Sequence, residues 1–362
     1  MRSVYIHIPF CSSICSYCDF CKMLYNEKWT NEYLNTLKKE ITGFYREDEI
    51  SSIYIGGGTP SSLSMEELNK LFEIIKTFKT SKNFEFTFEM NVNDINEEKL
   101  LFLKKNRVNR LSIGVESFNK YNLRFLNRKH NKKQIFESIN LVKNYFNNFN
   151  VDLIYAIPIE SFNILKNDLN SLLRLKPTHI SSYSLIIEEN TALHINKIKS
   201  IDEDTDYKMY KYIYKKLKRK KYNHYEVSNF ALDGYECRHN LKYWNNEEYY
   251  GFGLGAHGYI DGVRYENTRS LDKYLNENIR LNEIYLSKQE DMENEIILGF
   301  RKLEGINVEM FHDKFNENIS EIFNINETIK KEYLEYKDGF VRIPKEKIYL
   351  MNEILNEIIN KD

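Results

Sequence analysis

Four of the chain's five cysteines fall within eleven residues, in Cys11-Ser12-Ser13-Ile14-Cys15-Ser16-Tyr17-Cys18-Asp19-Phe20-Cys21, behind the apolar run Val4-Tyr5-Ile6-His7-Ile8. Three thiolates spaced C-x3-C-x2-C on one loop can hold three irons of a [4Fe–4S] cluster. Such a cluster normally takes four protein thiolates, so the fourth iron stays open to another ligand, and an open iron implies chemistry at the cluster. Zinc is the competing occupant, because zinc sites built from four cysteines are common and thiolates suit either metal. Structural zinc usually draws thiolate pairs from separated knuckles, whereas these cysteines share one loop. Inert packing is a weaker account, since free cysteines are buried singly as small hydrophobes. Cys21 has no assigned role at this stage.

Further along, Ile53-Tyr54-Ile55-Gly56-Gly57-Gly58-Thr59-Pro60 runs a strand directly into three glycines. Bare backbone there can bring N–H groups close to a polar or anionic ligand. A tight turn without a ligand is the plain alternative. Glu89, Glu116 and Asp152 each sit on or just after an apolar run, where a carboxylate needs a partner. Each alone could be a structural ion pair, but together they fall at corresponding ends of successive strands. Arg128 is twelve residues beyond Glu116 and can grip a carboxylate with two parallel hydrogen bonds, although a surface arginine is the default.

The elements that must position these residues are legible from periodicity. Short β-branched or aromatic runs at 4–8, 52–55, 84–89, 110–114, 151–155 and 179–187 alternate with stretches of helical period at 28–45, 65–78, 97–105, 132–145 and 164–173. That is the pattern of α/β proteins built from βα units around a parallel sheet, and six units predict a partial (β/α)6 TIM-like barrel. In such folds the working residues sit in loops at the C-terminal ends of the strands, where the motifs above fall. A charged helix is predicted over 203–221, ending in Lys215-Lys216-Leu217-Lys218-Arg219-Lys220-Lys221. Positive charge suits a helix C-terminus, so this run reads as a solvated end and leaves only peripheral membrane contact open. The Gly- and aromatic-rich stretch 249–258 has loop and close-approach character. The expected organisation is a barrel over 1–232, a connecting segment over 233–285, and a small, mostly helical, winged-helix-like accessory domain over 286–362 with a hairpin at 339–343.

Composition excludes several classes. The 362 residues carry 52 basic and 53 acidic side chains, a net charge of −1, so no global field draws the chain to nucleic acid. No apolar run approaches the ~20 residues that span a bilayer, and the mean hydropathy is −0.58. The cysteine pattern is not a disulfide framework and the first residues lack a secretory layout, which together predict a reducing cytoplasm.

On these residues the chain resembles the radical S-adenosylmethionine (SAM) proteins and, within them, the HemW-type heme chaperones related to oxygen-independent coproporphyrinogen III oxidases. The resemblance implies that Cys11, Cys15 and Cys18 bind the [4Fe–4S] cluster and that SAM chelates its unique iron. It also implies that Tyr5, Tyr17, Gly57, Gly58, Thr59, Glu89, Glu116, Arg128 and Asp152 form the SAM site. Reduction of the sulfonium would then release a 5′-deoxyadenosyl radical. The stretch Cys237-Arg238-His239-Asn240-Leu241-Lys242-Tyr243-Trp244 matches the chaperones' H-N-x-x-Y-W motif, which makes His239 the expected axial ligand of heme iron. Two further features side with the chaperones: the chain opens almost on its first strand, where the oxidases carry an extension, and Phe20 stands where they have a fourth cysteine. Glu116 in place of Gln, Val92 in place of Pro, Ala156-Ile157-Pro158 in place of Gly-Leu-Pro and Ile348-Tyr349-Leu350-Met351-Asn352 without Thr-x-x-Gly depart from the family pattern. The expected function is to bind heme and deliver it to an acceptor protein, with an electron donor for the cluster as a further partner. Radical decarboxylation of coproporphyrinogen III, or radical chemistry on another substrate, is the rival reading.

Overall fold

The structure, a computed structural model, describes residues 1–359. Six parallel strands form its spine: β1 (Arg2–Ile8), β2 (Ile50–Gly57), β3 (Thr80–Asn91), β4 (Arg110–Glu116), β5 (Phe149–Tyr155) and β6 (His179–Ser184). Each is hydrogen-bonded to the next in chain order. The helices between them, α1 (Glu27–Phe44), α2 (Met65–Ile75), α3 (Glu97–Lys105), α4 (Lys132–Lys143) and α5 (Phe162–Leu175), begin at side-chain caps. Ser64 with Glu67 and Asn131 with Gln134 form capping boxes, and Asn26, Asn96 and Ser161 accept from the first-turn N–H groups. The apolar stripe of α1, Tyr33, Leu34, Leu37 and Ile41, packs into a core shared with Val4, Ile6, Ile53 and Ile55 of the sheet. The expected strand over 179–187 stops at Ser184, and Leu185 and Ile186 turn out of the sheet to become part of a cavity wall.

The sheet does not close on itself. Beyond β6 it continues antiparallel through β7 (Asn223–Glu226) and β8 (Asn229–Ala231), which follow helix α6 (Glu203–Arg219). On the other side β9 (Tyr249–Phe252) pairs parallel with β1 and is followed by β10 (His257–Ile260), β11 (Val263–Asn267) and β12 (Arg280–Tyr285). The spatial order is β12-β11-β10-β9-β1-β2-β3-β4-β5-β6-β8-β7. This corrects the loop reading of 249–258, which is largely β9 and the start of β10. A Cβ on Gly251 would lie 1.8 Å from the His257 carbonyl oxygen, so this glycine marks close packing of two strands and no loop. The stretch 233–285 adds four strands to the sheet, and Tyr250, Phe252, Tyr265 and Tyr274 to its core.

From Met292 onward a second core gathers Ile296, Phe300, Phe311, Phe323, Val341 and Ile354. Short helices surround a three-stranded sheet of Ile306–Asn307, Phe340–Arg342 and Glu335–Lys337. The expected hairpin turns at Asp338-Gly339, both with positive φ, as a tight two-residue turn requires. The last three residues of the expected 286–362 unit lie outside the described residues.

Candidate cofactor site

The inward residues of β2 to β6 converge on one cavity of about 460 Å³ at the C-terminal ends of the strands. Its walls include Cys11, Cys15, Cys18, Tyr17, Gly57, Gly58, Thr59, Glu89, Glu116, Arg128 and Asp152. The spacing of the motifs along the sequence therefore becomes proximity in space. Tyr5 and His239 are not among the walls.

The cysteine loop is pinned at several points. Its entry, Phe10–Cys11, pairs with Met23–Leu24; Met23 N–H donates to Pro9 O (2.8 Å) and Tyr25 N–H to Cys11 O (2.9 Å). Ser16 Oγ donates to Phe125 O (2.7 Å), and His7 Nε2 pairs with Cys21 O (2.6 Å). The glycine run fits beneath the loop because it has no side chains. A Cβ on Gly57, at φ +115°, would lie 2.6 Å from the His7 ring, and one on Gly58 would lie 2.9 Å from Cys11 Sγ. Three N–H groups of this run are held within the protein. Gly57 N–H donates to Glu89 Oε2 (3.2 Å), Gly58 N–H to Ile8 O (2.8 Å) and Thr59 N–H to Phe10 O (2.8 Å).

Burial pushes the Cys11 thiol up to about 11 and raises that of Cys18. Arg128 Nη1 lies 3.3 Å from Cys15 Sγ and 3.9 Å from Glu116 Oε1, while its Nη2 donates to Asn91 Oδ1 (2.7 Å). Three thiols facing one cavity, one against a guanidinium and one against a glycine cradle, suit an iron–sulfur cluster, whose binding drives off the thiol protons. Cys21 faces elsewhere: its Sγ is 3.9 Å from Arg269 O, and it is not part of the cavity wall.

Three carboxylates share the interior. Burial, reinforced by Glu116, raises Glu89 to about 7 against the hydrogen bonds from Tyr54 and Gly57; burial, with Glu116 and Glu89 nearby, raises Asp152 to about 7. Burial likewise raises Glu116, which Arg128 and a hydrogen bond from Tyr17 oppose. Glu116 is aimed inward by a register shift between Gly114 and Glu116 and stands at φ +66°, an uncommon conformation for a side chain of this type.

His239 lies in helix α7 (Arg238–Trp244), which sits at the opposite, N-terminal end of the strands. It is 1 % exposed, its Nδ1 pairs with Ser52 Oγ (2.9 Å) and its Nε2 with Tyr243 OH (2.8 Å). Its ring packs on Tyr54, and burial lowers its pKa to about 3. Glu85 accepts from the N–H groups of Arg238 (3.1 Å) and His239 (3.0 Å), fastening the helix into the sheet. In this conformation neither ring nitrogen is free for iron; the motif residue that reaches the cavity is Asn240.

The cavity walls also hold Tyr54, Asn91, Arg110, Ser112, Asn150, Ser181 and Tyr183, none of which sequence reasoning singled out. Their signal is the two-residue alternation of the strands: Arg110, Ser112 and Gly114 share a face on β4, as Asn150, Asp152 and Ile154 do on β5.

Comparison with known proteins places this geometry. The radical SAM superfamily pattern matches residues 5–172, and the HemN C-terminal domain pattern matches residues 286–350. The heme chaperone HemW of Lactococcus lactis subsp. lactis (strain IL1403) is 40% identical over 348 residues, covering 93% of this chain and 91% of that protein. The heme chaperone HemW of Bacillus subtilis (strain 168) is 34% identical over the full length of both. Among solved structures, coproporphyrinogen III oxidase (HemN) from Escherichia coli superposes with a TM-score of 0.87 at 20% identity, over 98% of this chain and 89% of that one, and so shares the fold. A mostly parallel α/β sheet, a three-cysteine loop over its open end and end-to-end similarity to these chaperones lead to one assignment: the chain belongs to the HemW family of radical SAM proteins.

Proposed function

We propose that this protein is a heme chaperone, which holds heme and passes it to a heme-requiring acceptor in a reducing cytoplasm. The observation that carries this reading is the 40% identity to a heme chaperone across nine-tenths of both chains. Cys11, Cys15 and Cys18 would hold a [4Fe–4S] cluster, and Tyr17, Gly57, Gly58, Thr59, Glu89, Glu116, Arg128 and Asp152 would surround SAM. When bound and supplied by an electron donor, these groups bring one-electron chemistry to the mouth of the barrel. The chain's own part is to orient and shelter them: Arg128 neutralises charge at Cys15, the glycine run keeps the wall thin beneath Cys11, and Tyr17 and Glu89 exclude water. Heme coordination through His239 would require helix α7 to leave its seat, because both imidazole nitrogens are engaged. Among the described residues no helix is long and apolar enough to cross a membrane.

The test is a hemin titration of the anaerobically reconstituted protein, followed at the Soret band, alongside His239→Ala and Tyr243→Phe. Saturable one-site binding supports the reading. Weak, unsaturable binding, with turnover of coproporphyrinogen III, refutes it in favour of the oxidase. If His239 ligates iron, Tyr243→Phe, which frees Nε2, tightens binding and His239→Ala abolishes it.

A further inference from the structure

Arg110, the first residue of β4, is 2 % exposed and is among the largest fully buried side chains of the molecule. It lines the cavity together with Ser112, Asn150, Ser181 and Asn240. Among the described residues its guanidinium takes part in no hydrogen bond or ion pair, and its buried Nε is without a partner. The acids whose fields it feels are committed elsewhere. Glu85 accepts from the Cys237 thiol (3.6 Å) and from the N–H groups of Arg238 and His239; Glu89 accepts from Tyr54 OH (2.7 Å) and Gly57 N–H. The surrounding polar groups satisfy one another. Asn150 Nδ2 donates to Ser112 Oγ (2.9 Å) and Asp152 Oδ1 (2.7 Å), and its Oδ1 accepts from Ser181 Oγ (3.1 Å). Thr87 is the exception. It is paired in register with Arg110, so it shares that face of the sheet, and its buried hydroxyl is also without a partner. Arg128 makes the contrast, being engaged by Cys15, Asn91 and Gly114.

A buried arginine whose Nε–H has no partner and whose guanidinium makes no ion pair is unfavourable unless an anion comes to it. We propose that Arg110 is a carboxylate-receiving subsite at the deep end of the cavity, which takes the carboxylate arm of a ligand entering at the mouth. A planar guanidinium matches a carboxylate with two parallel hydrogen bonds. A singly charged group is selected over a phosphate dianion because Glu89, Glu116 and Asp152 already share the space. The inference rests on the reading that the barrel takes SAM and a tetrapyrrole: the arm is a tetrapyrrole propionate, because SAM's carboxylate is spent in chelating the cluster's open iron at the mouth, and the test separates the two sources.

The full chain, as wild type, Arg110→Gln and Arg110→Lys, is first melted in sodium propionate, in sodium chloride of equal ionic strength and in propionamide. The expected result is a rise in midpoint with propionate alone, abolished in Arg110→Gln and partly kept in Arg110→Lys, which retains the charge if the neutral variant fails to fold. An equal rise with chloride or propionamide, or one that survives in Arg110→Gln, overturns the proposal. Dissociation constants are then compared for SAM and its methyl ester, and for hemin and its dimethyl ester. For the ligand that uses Arg110, wild type prefers the acid by about tenfold or more, as a charge-assisted hydrogen bond gives, and Arg110→Gln erases that preference while leaving the ester's affinity nearly unchanged. Equal losses for acid and ester, or no preference with either pair, overturn it. If neither SAM nor hemin binds wild type at all, the chaperone reading fails, and the propionate melts still decide the subsite.

Discussion

Replacing His239 by alanine separates a framework histidine from a ligand waiting for iron. The substitution removes a ring packed 5.2 Å from Tyr54 and 5.0 Å from Tyr243, centroid to centroid, and strands Ser52 Oγ and the Tyr243 hydroxyl. Each buried polar group that loses its partner costs about 1–3 kcal/mol, and the space left by the ring adds about 1 kcal/mol more, at roughly 24 cal/mol per Å³. The expected loss is about 3–7 kcal/mol, a large share of the ~5–15 kcal/mol that a fold typically has. Tyr243→Phe, which strands only Nε2, should cost about 1–2 kcal/mol. Urea unfolding of the metal-free chain at pH 7.5 measures both. The acid dependence supplies a second signature. Because the folded pKa of about 3 lies below the unfolded value, the unfolded chain takes up the proton first, so the stability this ring contributes is present above about 6.5 and is lost as pH falls toward 3. The gap between wild type and His239→Ala should therefore narrow by roughly 1.4 kcal/mol for each pH unit below 6.5. A variant within about 0.5 kcal/mol of wild type, or a gap independent of pH, would refute the argument that His239 is structural.

Four further outcomes follow from the same geometry. Ala156→Gly should raise stability by about 0.5–1 kcal/mol in urea, because Ala156 is held at φ +60°, where only glycine is free of strain. Cys21→Ser should bind the same iron and sulfide as wild type after reconstitution, whereas Cys15→Ala should lose the cluster; equal loss in both would make Cys21 a ligand. Asp152→Asn should gain stability relative to wild type as pH rises from 5 to 8. The raised carboxyl of Asp152 favours the fold only while it is protonated, and that contribution disappears as pH passes about 7. Gly57→Ala should lower the melting midpoint and the cluster content together, since its Cβ would collide with the His7 ring that braces the cysteine loop through Cys21 O.

Much of this was legible beforehand, for identifiable reasons. Helices were readable because their apolar positions recur at helical period, and the predicted span 97–105 coincides with α3. The cysteines, the carboxylates and Arg128 were found because such residues are conspicuous near apolar strands. Arg110, Ser112 and Asn150 were not, because a polar residue near a strand's start looks like a strand boundary until the neighbouring strands define the inner face. The 249–258 stretch misled because glycines serve both loops and crowded strands, and only the position of His257 tells them apart. The seat of His239 was not legible because a motif names a residue without naming the side of the helix it lies on or what its ring nitrogens meet. Ala156, noted only as a departure from the family pattern, turns out to occupy a glycine conformation.

Helix α7 forms part of the cavity floor: with its first turn tied to Glu85 and its histidine tied to Ser52, it holds Asn240 in the wall at the end away from the cysteine loop. A molecule seated at the rim, among the exposed Ile14, Phe20 and Ile186, would cover Arg110 and the polar residues around it and shield them from water.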